Sequence, residues 1–181
     1  MYLNNYLLKY CKENDLSLII KSLANAAVEI SSSIRNIKKF GSNISAEKTS
    51  EFAINAAYKR FWNAITSKYI KDCQDGEEGS RKKNFGMRWV GSLVADASRI
   101  FIRGGIFLYP ADNRKNYKDG RLRLTYEANP IAFLIEQAGG KATNGYENIL
   151  NLEVKDIHQR SPLIFGSLDE VLIYKRHYEI I

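Results

Sequence analysis

Three charged side chains in the second half of the chain could bind a phosphate group or a metal ion. Arg121 and Arg123 are two positions apart, and Glu127 follows shortly after them. A guanidinium group suits a phosphate dianion because its planar fork donates two parallel hydrogen bonds. A carboxylate is a hard oxygen ligand that suits Mg²⁺. The same spacing is also typical of a solvated strand face followed by a helix start, where a carboxylate favours the helix dipole.

The charge balance favours anionic partners. Lys and Arg number 27 against 20 Asp and Glu, which gives a formal net charge of +7. This excess suits phosphorylated metabolites, nucleic acid or an acidic surface. The sequence contains no RNA-binding sheet signature, zinc-finger spacing or helix-turn-helix pattern, so nucleic-acid binding is only a third alternative and we expect no nucleic-acid partner.

Cysteine usage and hydropathy predict the compartment. The only cysteines are Cys11 and Cys73, without a Cys-x-x-Cys pair, which argues against a disulfide framework or a zinc site. The first residues lack the continuous apolar core of a signal peptide. No run approaches the roughly 18 to 20 apolar residues that cross a bilayer. We therefore expect a cytoplasmic protein with no membrane partner.

Hydrophobic periodicity predicts alternating helices and strands. Apolar residues spaced by three and four predict helices at Leu16–Ile34, Ala57–Cys73, Val90–Ile102 and Ile131–Ala138. Short apolar or alternating runs predict strands at Ile106–Tyr109, Arg121–Tyr126 and Pro162–Phe165. Ser167-x-x-Glu170 is a capping-box signature for a last helix. Together these elements indicate a layered α/β fold. Periodicity is lost from Lys38 to Thr49, which separates an amino-terminal helical segment, 1–43, from an α/β domain, 44–181.

From Arg88 onward the sequence resembles the carboxy-terminal half of class I fructose-1,6-bisphosphatases. Blocks that resemble the family follow in the family's order at Arg88–Asp96, Gly104–Pro110, Gly120–Pro130, Glu136–Ala142, Ile157–Arg160 and Leu163–Ser167. Upstream, Ala53–Tyr58 resembles the family's Asn-Glu-Gly-Tyr element. The resemblance implies a sugar-phosphatase-type α/β sandwich, a mixed sheet with helices, in truncated form.

The resemblance also implies a site for a phosphorylated fructose. The substrate-binding residues that it implies are Asn55, Tyr58, Arg88, Tyr109, Arg121 and Arg123. Arg88 would reach the 6-phosphate from a neighbouring subunit, since the family site is completed across an interface of a homotetramer. Arg121 stands where the family has a Lys that reaches the sugar and its 6-phosphate, and Arg123 would lie near the 1-phosphate.

Glu127 matches a carboxylate that ligates metal in the family, so the resemblance implies Mg²⁺ as the cofactor. The family's Asp-Pro-x-Asp-Gly-Ser-Ser motif, which carries further metal ligands, does not occur in this sequence. Ala56 and Ala57 replace the Glu-Gly of the Asn-Glu-Gly-Tyr element, and Trp89 stands where the family often has Tyr. We therefore expect an incomplete Mg²⁺ site, assign no catalytic residue, and predict very low phosphatase activity and no control by AMP for this chain alone.

The implied function is that of a Mg²⁺-dependent sugar-bisphosphate phosphatase. Such an enzyme hydrolyses fructose 1,6-bisphosphate to fructose 6-phosphate and phosphate in gluconeogenesis, and sedoheptulose 1,7-bisphosphate is an alternative substrate. The alternative function is that of a non-catalytic family member that binds sugar phosphate or associates with a full-length subunit. The resemblance to the family implies a homo-oligomer.

Overall fold

A computed structural model describes residues 50–179 of the chain, with side chains up to residue 177. The predicted segment 1–43, its helix Leu16–Ile34, the residue Cys11 and the boundary at residue 44 lie outside the described residues. Within the described part, no helix is long and apolar enough to span a membrane.

A five-stranded mixed sheet forms the centre of the fold. Its strands are β1 (Ser50–Ile54), β2 (Phe85–Met87), β3 (Ile106–Tyr109), β5 (Lys141–Thr143) and β7 (Leu163–Gly166). They lie in the order β2-β1-β3-β7-β5. β1 is parallel to β2 and β3, whereas β7 is antiparallel to β3 and β5. A separate two-stranded ribbon pairs β4 (Leu122–Arg123) with β6 (Arg160–Ser161). The mixed sheet predicted from the resemblance is confirmed.

Within residues 50–179, four α-helices cover the two faces of the sheet. They are α1 (Ala64–Gln74), α2 (Leu93–Arg103), α3 (Asn129–Gln137) and α4 (Leu168–Glu179). Side chains alternate across a strand, so Phe107 of β3 packs with α2 and α3 while its neighbours Ile106 and Leu108 pack with α1 and α4. Phe107 stacks on its cross-strand partner Phe165, with ring centroids 4.9 Å apart. The result is a three-layer α/β/α sandwich.

The helix predicted over Ala57–Cys73 is interrupted. A 3₁₀ helix covers Ala56–Phe61, and α1 begins only after Asn63. The Asn63 side chain accepts a hydrogen bond of 2.7 Å from the backbone N–H of Thr66, which caps α1. Between the two helices, Trp62 forms a backbone bridge with Asp112. The 3₁₀ helix is therefore separate from α1 and lies just beyond the carboxyl end of β1.

The helix predicted over Val90–Ile102 starts three residues later. The Asp96 carboxylate accepts backbone hydrogen bonds from Val90 and Gly91, at 3.2 and 3.1 Å, and these bonds hold the chain in a turn before α2. The predicted stop at the double glycine is confirmed, since Gly104 ends α2 with φ 79°. A Cβ on the next residue, Gly105, would lie 2.3 Å from the Glu51 carbonyl oxygen, so only glycine permits this approach of the helix end to β1.

The strand predicted over Arg121–Tyr126 is wrong in its second half. Strand pairing stops after β4, and Leu124–Ala128 form a π-helical turn that leads directly into α3. The Glu127 carboxylate accepts a 2.6 Å hydrogen bond from the backbone N–H of Arg123. This local bond competes with a continued strand ladder. Pro130 in the first turn of α3 is confirmed.

The capping box predicted at the start of α4 is wrong, although the helix itself is present. The Ser167 hydroxyl accepts a hydrogen bond from the Gly105 backbone, at 3.0 Å. The Glu170 carboxylate instead binds Arg81 at 2.8 and 2.9 Å and the Tyr69 hydroxyl at 2.7 Å. These contacts join α4 to α1 and to the loop before β2.

Candidate functional site

A small cavity lies at the carboxyl ends of the parallel strands β1 and β3. Asn55 directly follows β1, and Tyr109 is the last residue of β3. Side chains at the carboxyl ends of parallel strands converge at one edge of a sheet, where α/β proteins bind their ligands. The cavity is lined by Ile54, Asn55, Tyr58, Trp62, Tyr109, Pro110, Asp112 and Arg121. Four of the predicted site residues are therefore together: Asn55, Tyr58, Tyr109 and Arg121.

Arg121 provides the positive charge of this cavity. Its guanidinium carbon lies 4.5 Å from the centroid of the Tyr58 ring and 3.8 Å from that of Tyr117. One guanidinium nitrogen donates a long hydrogen bond, 3.5 Å, to the Tyr109 hydroxyl. The guanidinium carbon lies over these rings, and the N–H groups that do not contact a ring are suited to an anionic ligand.

The ionisation of the cavity residues follows from these contacts. The adjacent Arg121 guanidinium, with a smaller contribution from Arg114, lowers the pKa of the Tyr58 hydroxyl. Partial burial opposes the charge on Arg121, but the neighbouring Tyr109 and Tyr58 hydroxyls outweigh it and raise the pKa of Arg121. The cavity therefore keeps a full positive charge beside two phenol hydroxyls, an arrangement that can bind a phosphate dianion.

Three residues of the site carried no recognisable sequence signal: Asp112, which lines the cavity, and Arg114 and Tyr117, which lie next to the lining residues. Asp112 and Arg114 form a two-pronged ion pair, with Arg114 Nε 3.0 Å from Asp112 Oδ1. Burial opposes the ionised form of Asp112, but the hydrogen bonds from Arg114 prevail and lower its pKa. The Tyr117 ring lies against the Arg121 guanidinium, with its centroid 3.8 Å from the guanidinium carbon. All three belong to the polar, turn-rich stretch 111–120, which reads as an ordinary loop because its charges have no helical or strand spacing.

Asn55 has a structural contact of its own. Its side-chain oxygen accepts a 3.1 Å hydrogen bond from the Ala57 N–H, which caps the 3₁₀ helix that carries Tyr58. The two alanines that replace the family's Glu-Gly are exposed. Alanine at both positions is thus compatible with the 3₁₀ helix, and neither side chain lines the cavity.

Arg88 lies apart from the cavity. It is just beyond β2, with its side chain 57% exposed, a 3.0 Å hydrogen bond to the Met87 carbonyl and a 4.0 Å contact with the Glu51 carboxylate. The neighbouring Trp89 stacks on Phe107, with ring centroids 5.7 Å apart. Trp89 also lies 5.7 Å from the ring of Tyr109 and so packs behind the cavity.

Arg123 and Glu127 are also outside the cavity lining. The Glu127 carboxylate is bound to the backbone of Arg123, and the side-chain Nε of Arg123 is buried without a hydrogen-bond partner. Among residues 50–179, no cluster of three or more His, Cys, Asp or Glu side chains could hold a metal ion. Mg²⁺ binds through several oxygen ligands. Glu127 with its described neighbours therefore does not fit a Mg²⁺ site.

Comparisons with known proteins identify the family of this chain. The family model described as "Fructose-1-6-bisphosphatase, C-terminal domain" matches residues 45–179. The chain is 59% identical to a "Fructose-1,6-bisphosphatase class 1" of Azorhizobium caulinodans over 130 residues, which are 72% of this chain and 40% of that protein. It is 53% identical to a protein of the same name from Rhizobium meliloti over 142 residues, 78% of this chain and 41% of the relative.

A third relative shows the same pattern of coverage. A "Fructose-1,6-bisphosphatase class 1" of Methylorubrum extorquens is 57% identical over 72% of this chain and 37% of its own length. The chain thus spans about two fifths of the length of these curated relatives. The match includes β1, the 3₁₀ helix and every strand and helix described above. The chain belongs to the fructose-1,6-bisphosphatase family and carries that family's carboxy-terminal domain.

Proposed function

We propose that the cavity at the ends of β1 and β3 binds the phosphate-bearing end of a phosphorylated fructose. The observation that carries this proposal is the Arg121 guanidinium, which lines the cavity between the hydroxyl-bearing rings of Tyr58 and Tyr109. An arginine fork and phenol hydroxyls are the donors that a phosphate dianion prefers. The names of the relatives supply the sugar, fructose 1,6-bisphosphate.

The proposed reaction is the hydrolysis of the 1-phosphate, which leaves fructose 6-phosphate. In this reaction Arg121 would neutralise the 6-phosphate, and Tyr58 and Tyr109 would donate hydrogen bonds to its remaining oxygens. These contacts hold the sugar and leave its other end free to react. They bind substrate and product alike, so they contribute affinity and orientation rather than bond cleavage.

Mg²⁺ is the cofactor that we propose for the family reaction, as a Lewis acid for the transferred phosphoryl group. The described residues do not fit a site for it, so no step assigned to this chain passes through the metal. We propose that the 181-residue chain alone binds sugar phosphate and releases little phosphate. Its cytoplasmic location remains a prediction that rests on its cysteine usage.

Calorimetric titration with fructose 6-phosphate tests this function. The purified chain is expected to bind fructose 6-phosphate, and the Arg121→Met variant to bind it about 10- to 100-fold more weakly, because a charge-assisted hydrogen-bond donor is lost. Arg176→Met, at an exposed position of α4, is the matched control and should keep the wild-type affinity. Fructose without phosphate should bind far more weakly than fructose 6-phosphate. Folded protein that binds neither sugar would overturn the proposal.

A phosphate-release assay tests the catalytic part. With fructose 1,6-bisphosphate and Mg²⁺, we expect only trace release of phosphate by the chain alone. Mg²⁺-dependent release that disappears in Glu127→Ala would show that Glu127 does take part in a working metal site, and our reading of its geometry would then be wrong.

A second proposed property is association with another subunit, either a copy of this chain or a full-length relative. Arg88 supports it, because this predicted phosphate contact is exposed and lies outside the cavity of its own chain. Near it, Met87, Val90 and Val94 expose apolar side chains, which is typical of an interface. Sedimentation analysis should show an oligomer that Val94→Glu weakens, while Tyr146→Glu, at an exposed residue of the loop after β5, should not. A monomer at all concentrations would refute this second proposal.

A further inference from the structure

Two guanidinium groups lie on the same two tyrosine rings. The Arg114 carbon is 4.3 Å from the Tyr58 centroid and 4.6 Å from that of Tyr117. The corresponding distances for Arg121 are 4.5 and 3.8 Å. Two like charges this close repel each other unless other groups compensate them. The shared aromatic faces attract both cations and provide part of that compensation.

The two arginines differ in the interactions that hold their guanidinium groups in place. Arg114 is fixed by the two-pronged ion pair with Asp112, and it is not among the residues that line the cavity. Arg121 lines the cavity, and its hydrogen bond to Tyr109 is long, 3.5 Å. The closest aromatic contact of Arg121 is the ring of Tyr117. The orientation of Arg121 therefore depends mainly on stacking.

Tyr117 is well placed to determine that orientation because its own backbone is fixed. Its N–H donates to the Arg114 carbonyl at 3.0 Å, and its carbonyl accepts from the Asp112 N–H at 3.2 Å and the Gly120 N–H at 3.1 Å. The Asp112 end of the loop is tied to the 3₁₀ helix through the bridge to Trp62. Because this turn is held by backbone hydrogen bonds, the Tyr117 ring offers the Arg121 guanidinium a surface in a fixed position.

We infer that Tyr117 is a positioning residue for Arg121, and that the Asp112–Arg114 ion pair stabilises the loop that carries Tyr117. Stacking on Tyr117 fixes the plane of the guanidinium group, so that the N–H edge faces the cavity before a ligand arrives. A planar fork that is already oriented loses less rotational freedom on binding a phosphate than a mobile one. This inference rests on the proposed function for its consequence in binding, but its geometric part concerns the free protein.

The pKa of the Tyr58 hydroxyl reports on the position of Arg121 in the absence of any ligand. Arg121 and, to a smaller extent, Arg114 lower the pKa of Tyr58, so the pKa should move part of the way back toward the ordinary tyrosine value when Arg121 is free to leave. We would measure it by NMR titration of ¹³C-labelled tyrosine rings, with Tyr58→Phe to assign the signal. Tyr117→Leu should raise the pKa of Tyr58, whereas Tyr117→Phe, which keeps the aromatic face, should hold it near the wild-type value.

The binding readout uses fructose 6-phosphate and the same variants. Tyr117→Leu should bind it about 3- to 10-fold more weakly, the loss expected when one long side chain must be ordered by the ligand itself. Tyr117→Phe should restore most of the affinity. In the Arg121→Met background, Tyr117→Leu should cause no further loss, because the side chain that it positions is gone. Should Tyr117→Leu not fold, Tyr117→Met, which also lacks the aromatic face, replaces it.

The outcomes separate this inference from the proposed function. A Tyr58 pKa that is the same in wild type, Tyr117→Phe and Tyr117→Leu would overturn the positioning role, whatever the ligand does. The positioning role would also be overturned if Tyr117→Leu weakened binding equally in the wild-type and Arg121→Met backgrounds. The loss of affinity would then come from a change in the structure that does not involve Arg121. A chain whose Tyr58 pKa responds as expected but which does not bind fructose 6-phosphate would keep the positioning role and refute the proposed function.

Discussion

Replacing Glu51 with Gln removes a buried negative charge that three arginines share. The Glu51 side chain is 3% exposed in β1, and its carboxylate lies 3.2 Å from Arg99 Nε, 3.3 Å from Arg103 Nη1 and 4.0 Å from Arg88 Nε. Glutamine has nearly the same shape, so the substitution tests charge rather than packing. We expect it to lower the free energy of unfolding, because the arginines would face one another without the carboxylate.

The size of the loss follows from the exposure of the partners. Removing one partner of a fully buried ion pair costs about 3–5 kcal/mol. Arg99 is 21% exposed, and it keeps a 3.1 Å hydrogen bond to the Arg88 carbonyl. Arg88 and Arg103 are more than half exposed, where an ion pair contributes about 0–1 kcal/mol. Glu51 Oε2 also lacks a well-aligned hydrogen bond despite its 3.2 Å contact with Arg99. We therefore expect the free energy of unfolding to fall by about 2 kcal/mol, which is less than the loss for a fully buried ion pair.

Urea denaturation followed by circular dichroism measures this quantity. Glu51→Gln should shift the midpoint without changing the slope, and Tm should fall by about 4–8 °C at this chain length. Arg103→Met removes only the half-exposed pair and is the matched control, with an expected loss below about 1 kcal/mol. If Glu51→Gln is as stable as wild type, or if Arg103→Met costs as much as Glu51→Gln, the reasoning from exposure is refuted.

Three further predictions concern α1 and its contact with α4. Asn63→Ala removes the cap on the Thr66 N–H and should cost about 1 kcal/mol in urea denaturation, whereas Asn63→Asp, which also caps, should cost far less. Burial, which outweighs the nearby Asp72, lowers the pKa of His177, so the neutral ring contributes stability above about pH 6.5 that is lost as the pH falls. The Tm of wild type should therefore fall more steeply toward about pH 5 than that of His177→Gln, and parallel curves would contradict this. Burial raises the pKa of the Cys73 thiol to about 12, so Cys73 in the native chain should resist a thiol reagent at neutral pH and react on unfolding; Cys11→Ser makes that readout specific.

Local sequence patterns identified the elements that bury one continuous apolar stripe or run. Strands β3 and β7 and helices α2 and α3 were predicted close to their observed bounds, because apolar spacing and the glycine or proline at their ends are local signals. For α4 only the presence of a last helix was predicted. The strands β1, β2 and β5 were not predicted. All five residues of β1 are buried, so it lacks the alternation of a half-exposed strand, and β2 and β5 have three residues each.

Side-chain competition for backbone groups explains the wrong boundaries. Asp96 holds the backbone before α2, Glu127 ends β4, and Glu170 binds Arg81 instead of capping α4. In each case the residue type is compatible with the local prediction. The partner that decides the outcome, a backbone N–H or a distant arginine, follows from the folded arrangement and not from spacing.

Sequence alone was enough to identify the family, the layered α/β class and four candidate ligand contacts, Asn55, Tyr58, Tyr109 and Arg121. These conclusions rest on residue order and periodicity, which are written in the chain. The folded arrangement was needed to show that these four side chains share a cavity, that Glu127 is bound to the Arg123 backbone, that Tyr117 contacts Arg121 and that Asp112 pairs with Arg114. Aromatic contacts and ion pairs act over a few ångströms in space, which residue spacing does not reveal. Residues that a loop brings this close, such as Tyr58 and Arg114, are far apart along the chain.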